Sequence, residues 1–478
     1  MKKQSILFAF ALLLFALAHA PVHGWAQHTK KRPIDQLSYP PLRFLPRRPE
    51  KVQLANGMTL LILEDHRTPL INMFAMIRSG NMYDPADKIG LADTMAATMR
   101  SGGTTSMTAD EVDAKLEFVA ASVETWMTEK AGYASMSALT KDIGTILPIF
   151  ADLLMNPAFN NERLEVTRNQ RLNSIRRQND TPLAISGRIF PQLIYGKSSP
   201  LARSATEESV KRITREDVVR FHDTYYHPNN VVLGISGDVT KDAIIQTIEH
   251  IFAGWQPQKT AFGKLPVIQA TVKQEVYFIH RDIGQTTFRI GNLGIEQTDP
   301  DYLALTLANS ILGGGFFSRL FNELRTKEGL AYLTLADHAE GLGAPGYFYT
   351  HSETRAGATL RAIEIVQHLI KQMREMPVSD SELNATKESI LNSFVFDYDS
   401  PKKITENAVT LYYFGLPLDF LQKYRDNITK VTKEDILNAA KKHYRPEATI
   451  LVIGNEKEFD GPLSTLGDVT VIDLDRWR

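Results

Sequence analysis

The chain has 478 residues, of which 43% are hydrophobic and 23% charged, and its formal net charge is -1. This length exceeds what one hydrophobic core normally supports, so we expect two or more domains, and the balanced charge offers no basic surface suited to nucleic acid. The absence of cysteine excludes disulfides, thiolate zinc sites and cysteine nucleophiles.

The N-terminus predicts a targeting segment. Two lysines precede an apolar run from Ile6 to Ala18, which is short for a membrane span and has the form of a secretory signal. We place a signal peptide at 1–26, with cleavage after Ala26, and an N-terminal extension at 27–50. An uncleaved anchor is the alternative. We expect a soluble periplasmic protein that has no membrane association after cleavage.

The first half begins with two predicted strands, Leu60–Glu64 and Leu70–Arg78. A helix is expected to follow an Asp-Pro pair, beginning near Ala86. Farther on, Trp126, Met127 and Tyr133 lie in an alternating stretch, and we expect them in a sheet, facing the same cavity or the core.

The chain then repeats itself. Ile213–Ser236 and Val431–Ile453 share threonine, acidic, tyrosine and proline residues at a constant offset of 218. Each copy predicts a threonine-capped helix, a proline turn and an apolar strand. The second half also starts like the first, with strands at Val276–His280 and Gln285–Gly291 and a helix from about Asp301. The two halves are therefore expected to share one fold.

This organisation predicts an α+β architecture of two homologous domains. We place them at 51–255 and 273–478, with a linker at 256–272. The long helices expected at Ala358–Met376 and Asp380–Phe396 would pack on one face of a sheet.

One segment of the second half, Gly313–Tyr332, reads GGGFFSRLFNELRTKEGLAY. Three glycines predict a loop, Ser318 caps a short amphipathic helix, and Gly329 ends it. Arg325, in the last helical turn, and Tyr332, at the start of a strand, could then face one space. Arginine offers a rigid fork of donors to carbonyl oxygens, and a tyrosine hydroxyl can donate to an oxyanion. A cation that merely stabilises the helix end, beside a half-buried tyrosine, is the alternative interpretation.

The duplication, the glycine loop and the LRTKEGLAY motif together resemble the pitrilysin family of zinc peptidases, from about Val52 to Gly454. The resemblance implies two homologous LuxS/MPP-like metallohydrolase domains, each a mixed or antiparallel sheet with helices packed on one face. In that family an H-x-x-E-H helix supplies two zinc ligands and the general base, and a distal glutamate is the third ligand.

This chain departs from the zinc motif of the family. The matching segment, GLADTMAATMRSGGT, places Asp93 at the first histidine, Ala96 at the general base and Ala97 at the second histidine. Alignment on the downstream Asp-Thr-Pro triplet puts Ser174 at the third ligand, although a slip of one residue is allowed. Because a tight zinc site needs about three protein ligands, we expect no metal in this chain.

The resemblance also implies roles for the residues that the chain retains. Arg325 would hold backbone carbonyls of a substrate, and Tyr332 would stabilise the tetrahedral oxyanion. Gly313, Gly314 and Gly315 would contact the substrate in a chamber or would simply permit a tight turn, and the sequence favours neither.

These features predict the non-zinc subunit of a heterodimeric zinc metalloendopeptidase that degrades peptides or unfolded segments in a closed chamber. A homologous partner subunit with an intact H-x-x-E-H motif would hold Zn²⁺, and the isolated chain would be inactive. Two alternatives stay open, because fold alone does not give function. One is a catalytically inert assembly or binding subunit on the same fold, and the other is a hydrolase that uses different residues.

Overall fold

The computed structural model describes residues 47–263, 275–339 and 341–477. The predicted signal peptide, most of the predicted N-terminal extension and the later part of the predicted linker lie outside these ranges. Within them, no helix combines the length and the apolar character that crossing a bilayer requires.

The first half builds a six-stranded mixed sheet and a layer of helices. Its elements are β1 (Glu50–Gln53), β2 (Thr59–Glu64), β3 (Leu70–Ile77), α1 (Leu91–Ser101), α2 (Ala109–Phe118), β4 (Ser122–Met127), β5 (Gly132–Leu139), α3 (Ile143–Met155), α4 (Asn161–Arg177), α5 (Pro182–Tyr195), α6 (Glu207–Lys211), α7 (Arg215–Tyr225), β6 (Val231–Gly237) and α8 (Lys241–Ile251). The strand order is β1-β2-β6-β3-β5-β4. The β2–β6 pair is parallel and the other pairs are antiparallel.

The second half repeats this plan. Its elements are β7 (Val276–His280), β8 (Gln285–Leu293), α9 (Tyr302–Gly313), a π-helical segment (Phe321–Lys327), β9 (Ala331–His338), β10 (Tyr347–Arg355), α10 (Thr359–Glu375), α11 (Asp380–Ser393), α12 (Pro401–Tyr413), α13 (Phe420–Lys430), α14 (Lys433–His443), β11 (Thr449–Gly454) and β12 (Val469–Val471). The strand order is β12-β7-β11-β8-β10-β9, so β9 is an edge strand.

The repeated motif folds alike in both halves. Thr214 caps α7 and Thr432 caps α14, and each closes a capping box with an aspartate three residues later. The strands that follow, β6 and β11, are fully buried and take equivalent places in the two sheets. The threonine caps thus fix where these helices begin in both copies.

The first helix starts later than the sequence predicts. It begins at Leu91 rather than near Ala86. The Asp84 carboxylate accepts the backbone N–H groups of Gly90 and Ala92, at 2.7 Å and 2.8 Å, and Gly90 has a left-handed φ of 100°. A buried carboxylate therefore caps α1 across several intervening residues, which a local capping pattern does not reveal.

Each half lends one helix to the sheet of the other half. The predicted helix layer covers one face of each sheet and forms a separate core there. On the opposite face of the first sheet, α12 packs through Val409, and on that of the second sheet α5 packs through Ile189 and Phe190. Gly234 in β6 lets α12 approach, since a Cβ atom there would lie 2.6 Å from the Thr405 methyl group. This exchange was not predicted from the sequence.

Equivalent tyrosines end the two exchanged helices. Tyr195 and Tyr413 are separated by the repeat offset of 218. The Tyr195 hydroxyl donates to the Pro345 carbonyl at 2.8 Å, and the Tyr413 hydroxyl donates to the Lys130 carbonyl at 2.8 Å. Burial raises the pKa of both hydroxyls above the ordinary range, so both remain donors at neutral pH. Each half is thus tied to the backbone of the other.

Tyr195→Phe and Tyr413→Phe are each expected to lower the free energy of unfolding by about 1–2 kcal/mol, because a partly buried hydrogen bond between the two halves is lost. Urea denaturation of the purified chain measures the change. Tyr332→Phe is the matched control, since that ring is 80% exposed and its stability contribution should be negligible. Unchanged midpoints for both helix-end variants would show that the tyrosines do not hold the halves together.

Candidate functional site

The degenerate zinc motif lies where α1 packs beside α4. Asp93, in the first turn of α1, forms an ion pair with Arg171 of α4, with 2.9 Å between Oδ2 and Nη2. The Asn81 amide donates to the same carboxylate oxygen at 3.4 Å. The one acidic group at a predicted ligand position is therefore already neutralised by a cation of the same chain.

The other predicted motif positions supply no metal ligand. Ala96 is buried and its carbonyl accepts the Thr125 hydroxyl, whereas Ala97 is exposed. Ser174 is exposed on α4. It lies three residues after Arg171 and therefore on the same helix face as that arginine, whereas Asn173 lies on a different face. A carboxylate bound to arginine, an alanine and a serine do not fit a zinc site.

In the described part of the chain, one group of three acidic or histidine side chains has ligand atoms that converge on a common point. It consists of Asp299, Asp301 and His443, none of which is a predicted motif position. Lys442 and His443 both contact Asp301, at 2.7 Å and 2.8 Å. The negative charge of Asp301 is thus balanced by neighbouring side chains of the protein, and nothing in the cluster points to a ligand.

Asp84 sits buried below the N-terminus of α1. Its backbone carbonyl accepts from the Arg203 guanidinium at 2.6 Å, and that nitrogen also contacts the carbonyls of Asn81 and Met82. Burial, together with the nearby negative charge of Asp93, raises the pKa of the Asp84 carboxyl to about 7, although the backbone N–H donors and the Arg203 guanidinium lower it. The carboxyl therefore titrates near neutral pH in the folded chain.

Asp84 is expected to make stability fall as pH rises from about 4 to 7. The folded chain holds this proton up to about pH 7, while the unfolded chain releases it near 3.8, so the folded state binds more protons in between. The slope from this group is at most about 1.4 kcal/mol per pH unit. Urea denaturation of Asp84→Asn across that range should lack this component. Identical pH profiles of the natural chain and the variant would contradict the assignment.

The structure brings Arg325 and Tyr332 together. The Arg325 guanidinium lies 4.8 Å from the centre of the Tyr332 ring and 4.9 Å from that of Phe321, and its Nη1 donates to the Tyr332 carbonyl at 3.1 Å. Ser318 caps the segment as predicted, accepting the Phe321 N–H at 3.4 Å, and Gly329 ends it with a φ of 62°. The proximity that the sequence predicted is thus present, and the catalytic roles stay predictions.

Two backbone irregularities aim this pair at solvent. Phe321–Lys327 is π-helical rather than α-helical, and Arg325 lies within it. The register of β9 against β10 shifts between Leu333 and Ala331, so Tyr332 stands in a β-bulge and is 80% exposed. Both kinds of irregularity are frequent next to functional sites, where they redirect side chains. Neither irregularity was predicted from the sequence.

The three glycines differ in their surroundings. Gly313 is buried in the last turn of α9, where a Cβ atom would lie 2.0 Å from the Ala336 nitrogen of β9. Gly313 therefore faces the protein, whereas Gly314 and Gly315 are exposed. Substrate binding by these glycines stays a prediction. The adjoining Phe317 is 93% exposed.

Three half-exposed aromatic side chains form a row on the first sheet, and their arrangement was not predicted from the sequence. Trp126 stacks on Tyr133 with ring centres 5.1 Å apart, and Phe74 lies 6.2 Å and 5.8 Å from the two rings. The row crosses β3, β5 and β4, while the adjacent Met127 is buried in the core. Alternation predicted the sheet, but not which face each ring occupies.

Two protein-family models match the chain. Residues 60–194 match Insulinase (Peptidase family M16), and residues 212–390 match the Peptidase M16 inactive domain. The chain is 23% identical over 402 residues to a Helicobacter pylori protein named "Non-peptidase homolog YmxG", covering 83% of this chain and 91% of that protein. It is also 23% identical over 410 residues to an uncharacterized zinc protease of Rickettsia felis, covering 84% of this chain and 96% of that protein.

Solved structures are similar to this chain over most of its length. A Peptidase M16 inactive domain from Pseudomonas fluorescens matches with a TM-score of 0.79 and 24% identity, covering 86% of this chain and 98% of that chain. The periplasmic protease PqqL of Escherichia coli matches with a TM-score of 0.74 and 12% identity, covering 86% of this chain and 46% of that chain. At these identities the likeness establishes the fold alone.

Proposed function

The chain belongs to peptidase family M16, and on that premise we propose that it is the non-zinc subunit of a two-chain metallopeptidase. This membership confirms the predicted family resemblance and the α+β fold of two similar domains. In the proposal a homologous partner with an intact H-x-x-E-H motif holds the zinc ion. The two chains enclose exported peptides or unfolded segments in a periplasmic chamber.

The observation that carries the proposal is the geometry of Arg325 and Tyr332. A π-helical segment, which is a rare backbone form, and a β-bulge, which redirects a side chain, converge on these two residues. A chain selected only for stability has no need to expose a tyrosine beside a stacked arginine. The missing ligands at Asp93, Ala97 and Ser174 support the assignment of the metal to another chain.

The two residues have distinct chemical tasks in this proposal. The stacked guanidinium is held in place by two rings and one carbonyl, and its remaining N–H groups bind backbone carbonyls of the substrate. The exposed Tyr332 hydroxyl donates to the oxygen on which negative charge develops. The zinc ion of the partner would activate water and polarise the scissile carbonyl.

A catalytically inert assembly or binding subunit is the second candidate. It is favoured by the name of the Helicobacter pylori relative, which calls that protein a non-peptidase homolog. The two candidates differ in one respect that can be measured. Only the first requires Arg325 and Tyr332 for turnover by a complex.

The test is reconstitution. The chain is purified from periplasmic extract, alone and after co-production with a candidate partner, a homologous exported protein with an intact H-x-x-E-H motif. Each sample is analysed for mass, zinc and hydrolysis of a quenched peptide library. The proposal expects an inactive single chain, and an active heterodimer with one zinc ion. A stable heterodimer that cleaves no peptide would favour the inert subunit. Absence of the chain from the periplasm would contradict export.

A further inference from the structure

Arg171 lies where the family motif would hold a metal ion. Its Nη2 atom is 2.9 Å from the Asp93 oxygen that would be the first ligand. Zinc binds carboxylate oxygen at about 2.0–2.2 Å, so an ion on that oxygen would lie within about 5 Å of the guanidinium. Two cations at that separation repel each other strongly in a partly buried site.

The ion pair is part of the folded structure rather than a loose surface contact. The Arg171 and Asp93 side chains are 31% and 24% exposed, and the Arg171 Nε atom is buried without a hydrogen-bond partner among the described residues. Gly90, which opens α1, lies against the same guanidinium, since a Cβ atom on Gly90 would be 3.9 Å from that Nε. The arginine is therefore confined between α1 and α4.

We propose that Arg171 replaces the metal ion in this chain and excludes it, so that restoring the lost ligands would not by itself restore zinc binding. The guanidinium supplies the positive charge that Asp93 requires and links α1 to α4 as a shared metal ion would. The inference concerns only this chain, and it holds whether or not a zinc-bearing partner exists.

The test restores three ligands in the full chain through Asp93→His, Ala97→His and Ser174→Glu. Ala96 is left unchanged, because it is buried and a glutamate there would enter the core. This triple variant is compared with two versions that add Arg171→Gln or Arg171→Lys. The glutamine removes the charge, and the lysine retains it in a side chain of similar length. Titration calorimetry with Zn²⁺ and metal analysis after dialysis give affinity and stoichiometry.

We expect the triple variant and its Arg171→Lys version to retain little zinc. The Arg171→Gln version should bind about one ion, at least about tenfold more tightly, because the competing cation is gone. Equal zinc affinity with and without Arg171 would overturn the proposal. So would a correctly folded Arg171→Gln version that binds no zinc.

A variant with fewer substitutions keeps the test available if the triple variant does not fold. Asp93→His with Ala97→His creates only a histidine pair at positions four apart on α1, one turn of an existing helix. Thermal unfolding confirms that it folds, and the same Arg171→Gln and Arg171→Lys comparison is then made with Zn²⁺. A tenfold gain in affinity confined to Arg171→Gln supports the proposal, and equal gains with glutamine and lysine contradict it.

Discussion

Tyr332→Phe in the reconstituted heterodimer is expected to lower kcat about a hundred- to a thousandfold, with little change in KM. The substitution removes only a hydroxyl, and the ring that stacks on Arg325 stays in place. Loss of one donor to a developing oxyanion typically has an effect of this size. Because the hydroxyl acts on charge that exists only in the transition state, substrate binding should be spared. Steady-state kinetics with a quenched peptide measures both constants.

Arg325→Ala should act differently on the same enzyme. An arginine that holds backbone carbonyls contributes to binding before and during the reaction, so KM should rise and kcat/KM should fall about ten- to a hundredfold. Lys327→Ala is the matched control, an exposed cation of the same segment that pairs with Glu323 one turn away. Heterodimer mass and zinc content should be unchanged in all three variants. Full turnover by both site variants would contradict the proposed catalytic role and would favour the catalytically inert subunit instead.

Local sequence signals predicted much of the fold. The threonine caps and proline turns, repeated at an offset of 218, located the repeat, since each cap or turn depends on residues close together in the sequence. The exchange of α5 and α12 was not predictable in this way. Both helices have an apolar side, as any packed helix does, and their sequence does not say which sheet they cover. The equivalent tyrosines at their ends, Tyr195 and Tyr413, become meaningful only once that packing is known.

Some features of the candidate site were likewise predictable from local sequence, and others were not. The helix, its glycine stop and the following strand predicted that Arg325 and Tyr332 share one space. The bulge that exposes Tyr332 depends on the pairing of β9 with β10, which a local pattern does not contain. The sequence of Phe321–Lys327 also does not distinguish π-helical from α-helical hydrogen bonding. Arg171 was missed for a related reason. Its position three residues before Ser174 placed it on the ligand face of α4, but only the packing of α4 on α1 shows that it reaches Asp93.

Gly313→Ala should be the most destabilising small substitution near the site. The new methyl group would lie 2.0 Å from the Ala336 nitrogen and 2.7 Å from the Leu335 carbonyl carbon, and both belong to the backbone of β9. Because backbone atoms in a paired strand cannot rotate away as a side chain can, α9 and β9 must separate. Overpacking of this kind lowers the free energy of unfolding by about 1–3 kcal/mol.

The same shift should reach Tyr332, which precedes this contact on β9. Turnover of the reconstituted enzyme should therefore fall together with stability. Gly187→Ala is the matched control, since Gly187 lies inside α5 with no atom within 4 Å of the new methyl group. That substitution should raise stability by up to about 1 kcal/mol. Urea denaturation of both variants, with peptide hydrolysis at a temperature where both are folded, separates the two effects. If Gly313→Ala matched the natural chain in both measurements, the close approach of α9 to β9 would not be what positions the site.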